Sequence, residues 1–310
     1  THTMATLQLD PATLNAMRQL LQGKNRKWAT PGDMAQHLDP DTIQTPALQL
    51  IDQTLIDTTN TTDGRAIITL PPQEGKSQRV SRRYPLWTLT HNPNTRIAIV
   101  SYSHAVARRW GRTIRDDITT HPDLGLTIRP DLSAQHEWQL AEAQGGVYTT
   151  GIGGSLTGRP VDLLIIDDPI KDREQADSTI YRNRVWDWWT DVASTRLAPG
   201  APVILILTRW HQDDLAGRLL NAPDGHRWKL LNIPAQAETS NDPLGRKPGQ
   251  WLQSARGRTE AQWEAIKRQA GSRTFASLYQ GHPSPPGGTI FNRDHWIIDS
   301  HPTWQGDDNQ

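Results

Sequence analysis

Two stretches of this 310-residue sequence hold residue types at spacings suited to binding phosphate and a divalent cation. The apolar run Ile67-Ile68-Thr69-Leu70 feeds Pro71-Pro72-Gln73-Glu74-Gly75-Lys76-Ser77, and the Gly-Lys-Ser end opens a helical stretch through Gln78 to Tyr84. Strand, loop and helix in that order form a phosphate loop. Loop N–H groups and the positive end of the helix bind phosphate oxygens, a lysine reaches the β- and γ-phosphates, and a hydroxyl holds Mg²⁺. Lys76 and Ser77 suit those two roles, and Pro72, Gln73, Glu74, Gly75 and Gln78 complete the expected nucleotide-binding set. Leu70 stands where the common pattern has its first glycine.

The second stretch, Leu163-Leu164-Ile165-Ile166, ends in Asp167-Asp168. A buried strand delivers such a pair to the carboxyl edge of an open α/β sheet, where ligands sit. Asp167 is expected to bind Mg²⁺ through water, and Asp168 to orient and deprotonate the attacking water. Paired acids after a strand also cap helices and turns, here ahead of Pro169. A further apolar run at 96–101 lies between the two motifs in sequence. That arrangement suits the additional-strand class of P-loop ATPases rather than the kinase–GTPase class.

Other candidates surround these two. The loop Gly151-Ile152-Gly153-Gly154-Ser155-Leu156-Thr157-Gly158-Arg159 leads an arginine toward the same edge, where Arg159 could act on a neighbouring subunit's γ-phosphate as a catalytic finger. A surface arginine in a flexible loop is the plainer reading. The run Val203 to Leu207 ends in Thr208-Arg209-Trp210-His211, so Thr208 and Arg209 are candidates for coupling the phosphate state to movement. Helix capping is the alternative for Thr208. His211 reads as structural, and the eleven histidines show no metal spacing, so no protein-held metal is expected. Arg108, Arg112 and Arg115 share a helix face with Arg109 adjacent, a pattern that follows a DNA backbone or simply faces solvent.

The elements that must position these residues are β-branched runs at Ala66 to Leu70, Arg96 to Ser101, Leu163 to Asp167, Val203 to Thr208 and Lys229 to Ile233. Helical patterns at 105–118 and 178–197 alternate with them, which predicts a mainly parallel sheet with helices on both faces. Short helices over 5–62 are expected to form an N-terminal helical cap (1–62) on the nucleotide side of a core at 63–234. A C-terminal lid (235–281) would contain a helix begun by the capping box Thr259-Glu260-Ala261-Gln262. The Pro- and Gly-rich stretch 282–288 reads as a linker, with 282–310 approaching a truncated further domain. Thr1-His2-Thr3 ahead of Met4 is expected to be a cloning remnant.

Composition narrows the classes. Lys plus Arg equals Asp plus Glu at 33 each, so any nucleic-acid contact must come from a local patch. The absence of cysteine excludes disulfides, Fe–S clusters and thiolate zinc. No apolar run approaches the roughly 20 residues of a membrane span, so a soluble, intracellular protein is expected. Thirteen tryptophans against two phenylalanines place much of the apolar bulk in indoles, which want a hydrogen-bond partner when buried.

Taken in order, Leu70-Pro71-Pro72-Gln73-Glu74-Gly75-Lys76-Ser77, Ser101-Tyr102-Ser103, Leu164-Ile165-Ile166-Asp167-Asp168-Pro169, Thr208-Arg209-Trp210-His211-Gln212-Asp213-Asp214-Leu215 and Gln280-Gly281-His282-Pro283 resemble the large terminase subunits of tailed phages. The resemblance implies a RecA-like ATPase that uses ATP and Mg²⁺ to pump double-stranded DNA into a procapsid. It also implies a ring, expected to be a pentamer, on the portal protein in the host cytoplasm, with a small terminase subunit as partner. A carboxyl-terminal nuclease belongs to the same family pattern, but none of its acidic cluster can be placed here, so no DNA cleavage is expected.

Two departures stand out. Such terminases commonly carry a basic residue within the phosphate loop, where this chain has Gln73 and Glu74, so weak ATP affinity is expected. The second acid of the strand end is Asp168 rather than glutamate, so its water must sit closer to the sheet. Two other readings stay open: another additional-strand translocase or helicase, and a non-hydrolysing capsid or portal adaptor with a degenerate loop.

Overall fold

The computed structural model describes Asp10, residues 28–156, Gly158 and residues 160–284. Among these, eight strands form one sheet in the order β3-β4-β5-β2-β6-β7-β1-β8. The strands are β1 (Arg65–Thr69), β2 (Arg96–Ser101), β3 (Ile128–Ser133), β4 (Glu137–Leu140), β5 (Gly146–Gly151), β6 (Leu163–Asp167), β7 (Val203–Ile206) and β8 (Lys229–Asn232). The six from β5 to β8 across the sheet run parallel, while β4 and β3 close one edge antiparallel.

Parallel strands buried on both faces need apolar residues in both alternations, and these runs supply them. Ala66, Ile68, Ile97, Ile99, Leu163, Ile165, Ile204 and Ile206 pack into one core. Ile67, Ala98, Val100, Leu164, Ile166, Val203 and Leu205 pack into the other. All five strands expected from the sequence are present within one or two residues. β3, β4 and β5 were not expected. Gly146-Val147-Tyr148-Thr149-Thr150-Gly151 has strand chemistry, but its flanking glycines read as loop punctuation.

The spatial order also amends the sequence argument for the additional strand. The run at 96–101, which lies between the motifs in sequence, pairs on the far side of β6. The strand between the phosphate-loop strand β1 and the acidic strand β6 is β7, hydrogen-bonded to both. The class expected is the class found, for a different strand.

The prolines at 31 and 46 begin helices rather than merely interrupt them. Pro31–Leu38 and Pro46–Thr59 each have proline in the first turn behind a threonine N-cap, Thr30 and Thr45, whose hydroxyl accepts the N–H of Asp33 or Leu48. The helix His104–Thr120 lies close on β5, because a Cβ at Gly111 would stand 2.9 Å from Thr149 Cγ2. The expected helix 178–197 is broken into an α-helix (Thr179–Trp188), a π-turn (Trp189–Ala193) and a 3₁₀ turn (Ser194–Arg196).

Beyond β8 the chain forms a bridge between Gln236 and Trp251, then the helix Glu260–Thr274 with both arms of the expected capping box made. Its core is aromatic, with Trp251 stacked on Trp263 at 5.9 Å and Phe275 and Tyr279 alongside. The Trp87, Trp138 and Trp263 indole N–H groups donate to the carbonyls of Trp28, Gly111 and Leu252, whereas those of Trp110 and Trp188 are buried without a partner. The expected helices before residue 28 and the linker beyond residue 284 lie outside the described residues.

Candidate active site

The phosphate loop leaves the carboxyl end of β1 and turns through two left-handed residues, Gln73 at φ 65° and Gly75 at φ 92°. Glycine adopts that conformation freely, whereas glutamine does so at a cost on the order of 1 kcal/mol. The helix that follows opens with a π-turn, Gln78–Arg83, before continuing as Tyr84–His91. Ser77 and Ser81 thereby reach the same partner: Ser77 Oγ donates to Asp167 Oδ1 at 3.0 Å and Ser81 Oγ to Oδ2 at 2.7 Å. Helical spacing of i, i+4 from Ser77 was the signal that could have identified Ser81 in the sequence.

The acidic pair is held by its backbone as much as by its side chains. Asp168 sits in the left-handed region at φ 47°. Its N–H donates to Ile206 O at 2.9 Å and its carbonyl accepts the Tyr102 N–H at 3.1 Å, so strands on both sides clamp it. Its Oδ1 accepts the Thr208 N–H at 2.8 Å and lies 4.0 Å from Lys76 Nζ. Asp167 is buried, and burial together with the adjacent Asp168 charge pushes its carboxyl up to about 7. Lys76, Ser77, Asp167, Asp168 and Thr208, drawn from three separate segments, thus converge at the carboxyl edge of β1, β6 and β7.

An oxygen donor set of one hydroxyl and one carboxylate, with no guanidinium on Asp167 among the described residues, is chemically suited to a hard divalent ion that takes its other ligands from nucleotide and water. Among the described residues no cluster of three or more His, Asp or Glu gathers as a metal site of its own.

Other sequence candidates have their partners outside this group. Arg209 is engaged elsewhere: its Nε donates to Asp214 Oδ2 at 2.6 Å in a buried pair, and Asp214 also caps the following helix through the Gly217 N–H. Burial outweighs that arginine and pushes the Asp214 carboxyl up to about 6. His211 Nδ1 accepts the Asp213 N–H at 2.9 Å, a turn-forming role. Gln78 Oε1 accepts from Arg82 at 3.2 Å. Arg159 lies outside the described residues. On the helix His104–Thr120, Arg108, Arg109 and Arg112 are exposed and make no ion pair among the described residues, while Arg115 is drawn to Asp116 and the Ser133 carbonyl.

Glu74 does not stand as the sequence suggested. Its carboxylate is buried and accepts from Ser254 Oγ at 2.8 Å, the Ala255 N–H at 2.6 Å and the Arg258 guanidinium. A second Arg258 nitrogen reaches Gln73 Oε1 at 3.3 Å, and the guanidinium lies 5.2 Å over the Trp263 ring. The Glu74 charge is therefore matched by a guanidinium from outside the loop. No local pattern marked Ser254, Ala255 or Arg258, because their partner is about 180 residues away in the chain. On the opposite flank, Arg79 of the loop's helix pairs with buried Asp52 at 2.6 Å and with Gln44 at 2.7 Å, fastening the N-terminal helices to the same unit.

This constellation can be compared with known proteins. A family model described as terminase large subunit, T4likevirus-type, N-terminal, matches residues 67–296. The chain belongs to this family. Among solved structures, a mutant large terminase ATPase domain from Thermus phage P74-26 aligns with a TM-score of 0.53 at 12% identity, over 82% of this chain and all of that one. The HK97 bacteriophage large terminase aligns with a TM-score of 0.51 at 17% identity, over 78% of this chain. The terminase described here covers 51% of that HK97 chain. At these identities the likeness establishes the fold, that of large terminase ATPase domains. No curated protein matches the sequence.

Proposed function

We propose that this terminase domain hydrolyses ATP and uses the energy to move double-stranded viral DNA into a procapsid. The observation that carries the reading is the meeting of Lys76, Ser77, Asp167 and Asp168 at one sheet edge, with Ser77 bonded to Asp167 at 3.0 Å and Lys76 within 4.0 Å of Asp168. Residues 72–78 cradle the nucleotide, and Lys76 turns from Asp168 to the β- and γ-phosphates. Ser77 and Asp167 would hold Mg²⁺, which neutralises charge developing on the phosphates when bound. Asp168 accepts the proton of the attacking water, held in place by the Thr208 N–H. The same hydrogen bond lets the end of β7 respond to the state of Asp168, and through Thr208 and Arg209 pass it onward.

Arg159 is proposed to act on the nucleotide of a neighbouring copy, in a ring on the portal in the host cytoplasm, with a small terminase subunit as partner. Specific activity then rises with protein concentration, and a constant value over a hundredfold dilution series counts against action in trans. The exposed arginines 108, 109 and 112 are the proposed contact with the DNA backbone, which needs charge and no base reading. We further propose that residues 235–281 form a lid and 1–62 a cap.

The adaptor alternative drew on Gln73, Glu74 and the missing glycine at Leu70, and the pairing of Glu74 with Arg258 weakens one of those supports. Phosphate release from ATP, with and without double-stranded DNA, tests the function. Lys76→Ala is expected to abolish turnover in both conditions, and undiminished release by that variant sinks the assignment.

A further inference from the structure

A carboxylate inside a phosphate loop is an unfavourable neighbour for a triphosphate, since like charges at a few ångströms in a weakly screened site cost several-fold to many-fold in affinity. Glu74 is 2% exposed, so it can neither reach water nor remain ionised there without donors. Among the described residues, its side-chain and backbone donors all come from one short segment, Ser254 to Arg258, that belongs to the polypeptide after β8. Arg258 is itself fixed from behind by the face of Trp263, which is fully buried at the start of the helix Glu260–Thr274. Its fork spans two consecutive loop residues, Glu74 and Gln73, and Gln73 is the residue held at a left-handed φ of 65°.

We propose that Arg258 is a positioning residue for the phosphate loop, and that this clasp makes nucleotide affinity conditional on the seating of residues 254–258. The inference rests on the reading of residues 72–78 as the nucleotide site. With the segment seated, the guanidinium cancels the Glu74 charge and holds Gln73 in its unfavourable conformation, so the loop N–H groups stay arranged for phosphate. With the segment displaced, Glu74 faces the same cradle uncompensated and repels the phosphates. Departure of this segment would therefore favour release of nucleotide, and its return would favour uptake. The charge that neutralises Glu74 is thus supplied across a tertiary contact instead of within the loop.

The test is binding of a fluorescent ATP analogue and of ADP with Mg²⁺ to the whole chain, with thermal melting as a check on folding. Arg258→Gln is expected to weaken both nucleotides about tenfold or more, the scale of a lost charge-assisted pair. The double variant Glu74→Gln/Arg258→Gln is expected to recover most of that loss, because the stranded charge is gone. Glu74→Gln alone should bind more tightly than wild type, and it remains informative if Arg258→Gln does not fold. A merely structural role for Arg258 would lower the melting temperature of Arg258→Gln while leaving the nucleotide affinity of its folded fraction at the wild-type value. That result, absence of recovery in the double variant, or unchanged or weaker binding by Glu74→Gln overturns the proposal. A folded wild-type chain that binds neither nucleotide removes the site reading as well, and binding that Lys76→Ala leaves intact does the same.

Discussion

Two buried carboxylates flank the phosphate loop, Asp167 at 3% and Glu74 at 2% exposure, and their surroundings are opposite. Asp167 accepts hydrogen bonds from two hydroxyls, Ser77 and Ser81, stands beside a second carboxylate, and has no guanidinium partner among the described residues. Glu74 accepts a guanidinium, a hydroxyl and a backbone N–H. Burial is the same, so the donors decide. A carboxylate buried without a cation is costly and rises in pKa, whereas one buried with a matched cation and filled lone pairs serves as a fastening. The first arrangement suits a group waiting on a cationic ligand, and the second a structural joint.

The largest test of that contrast is Asp167→Asn, which keeps shape and one acceptor but removes the charge. Turnover is expected to fall by about 10²–10³, and near-normal phosphate release at saturating Mg²⁺ would erase the distinction between the two sites. The nucleotide-free domain should respond in the opposite sense, being more stable as the asparagine.

Acidity sharpens the same point. The Asp167 carboxyl is raised from 3.8 to about 7, so the stability linked to it is fully present below the ordinary value and is lost as pH rises through the folded one. Without nucleotide and Mg²⁺, the melting temperature of wild type should therefore drop relative to Asp167→Asn between about pH 4 and pH 7, by on the order of a few degrees. Parallel melting curves across that range would show that burial does not strain Asp167. Addition of Mg²⁺ with ATP should close the gap for the wild type, because the cation favours the ionised form.

The smallest effect belongs to the fastened carboxylate. Ser254→Ala removes one of three donors to Glu74 and should lower stability by about 1–2 kcal/mol, read as a shift of the denaturant midpoint at unchanged slope. No shift would mean that Arg258 and the Ala255 N–H satisfy Glu74 without the hydroxyl.

Much of this protein was legible along the chain, for a physical reason. A phosphate loop is a contiguous piece of backbone, and a strand end that delivers two acids is another, so Lys76, Ser77, Asp167 and Asp168 could be named from their neighbours in sequence. Buried parallel strands made of apolar runs announce themselves, which is why β1, β2, β6, β7 and β8 were readable, while the half-exposed β3 and β4 and the buried but glycine- and threonine-rich β5 were not. The family resemblance rested on the same local blocks and agrees with the matched family.

What tertiary structure alone decided was charge. Whether Glu74 weakens the loop or fastens it depends on a guanidinium 184 positions away, and whether Arg209 is a free sensor or a buried partner depends on Asp214 in the next turn. Which strand separates the two motifs likewise became β7 only when the sheet was assembled. Sequence determines which groups are available near the phosphates, because covalent continuity carries them there. The field they feel is summed over partners that only folding brings within a few ångströms.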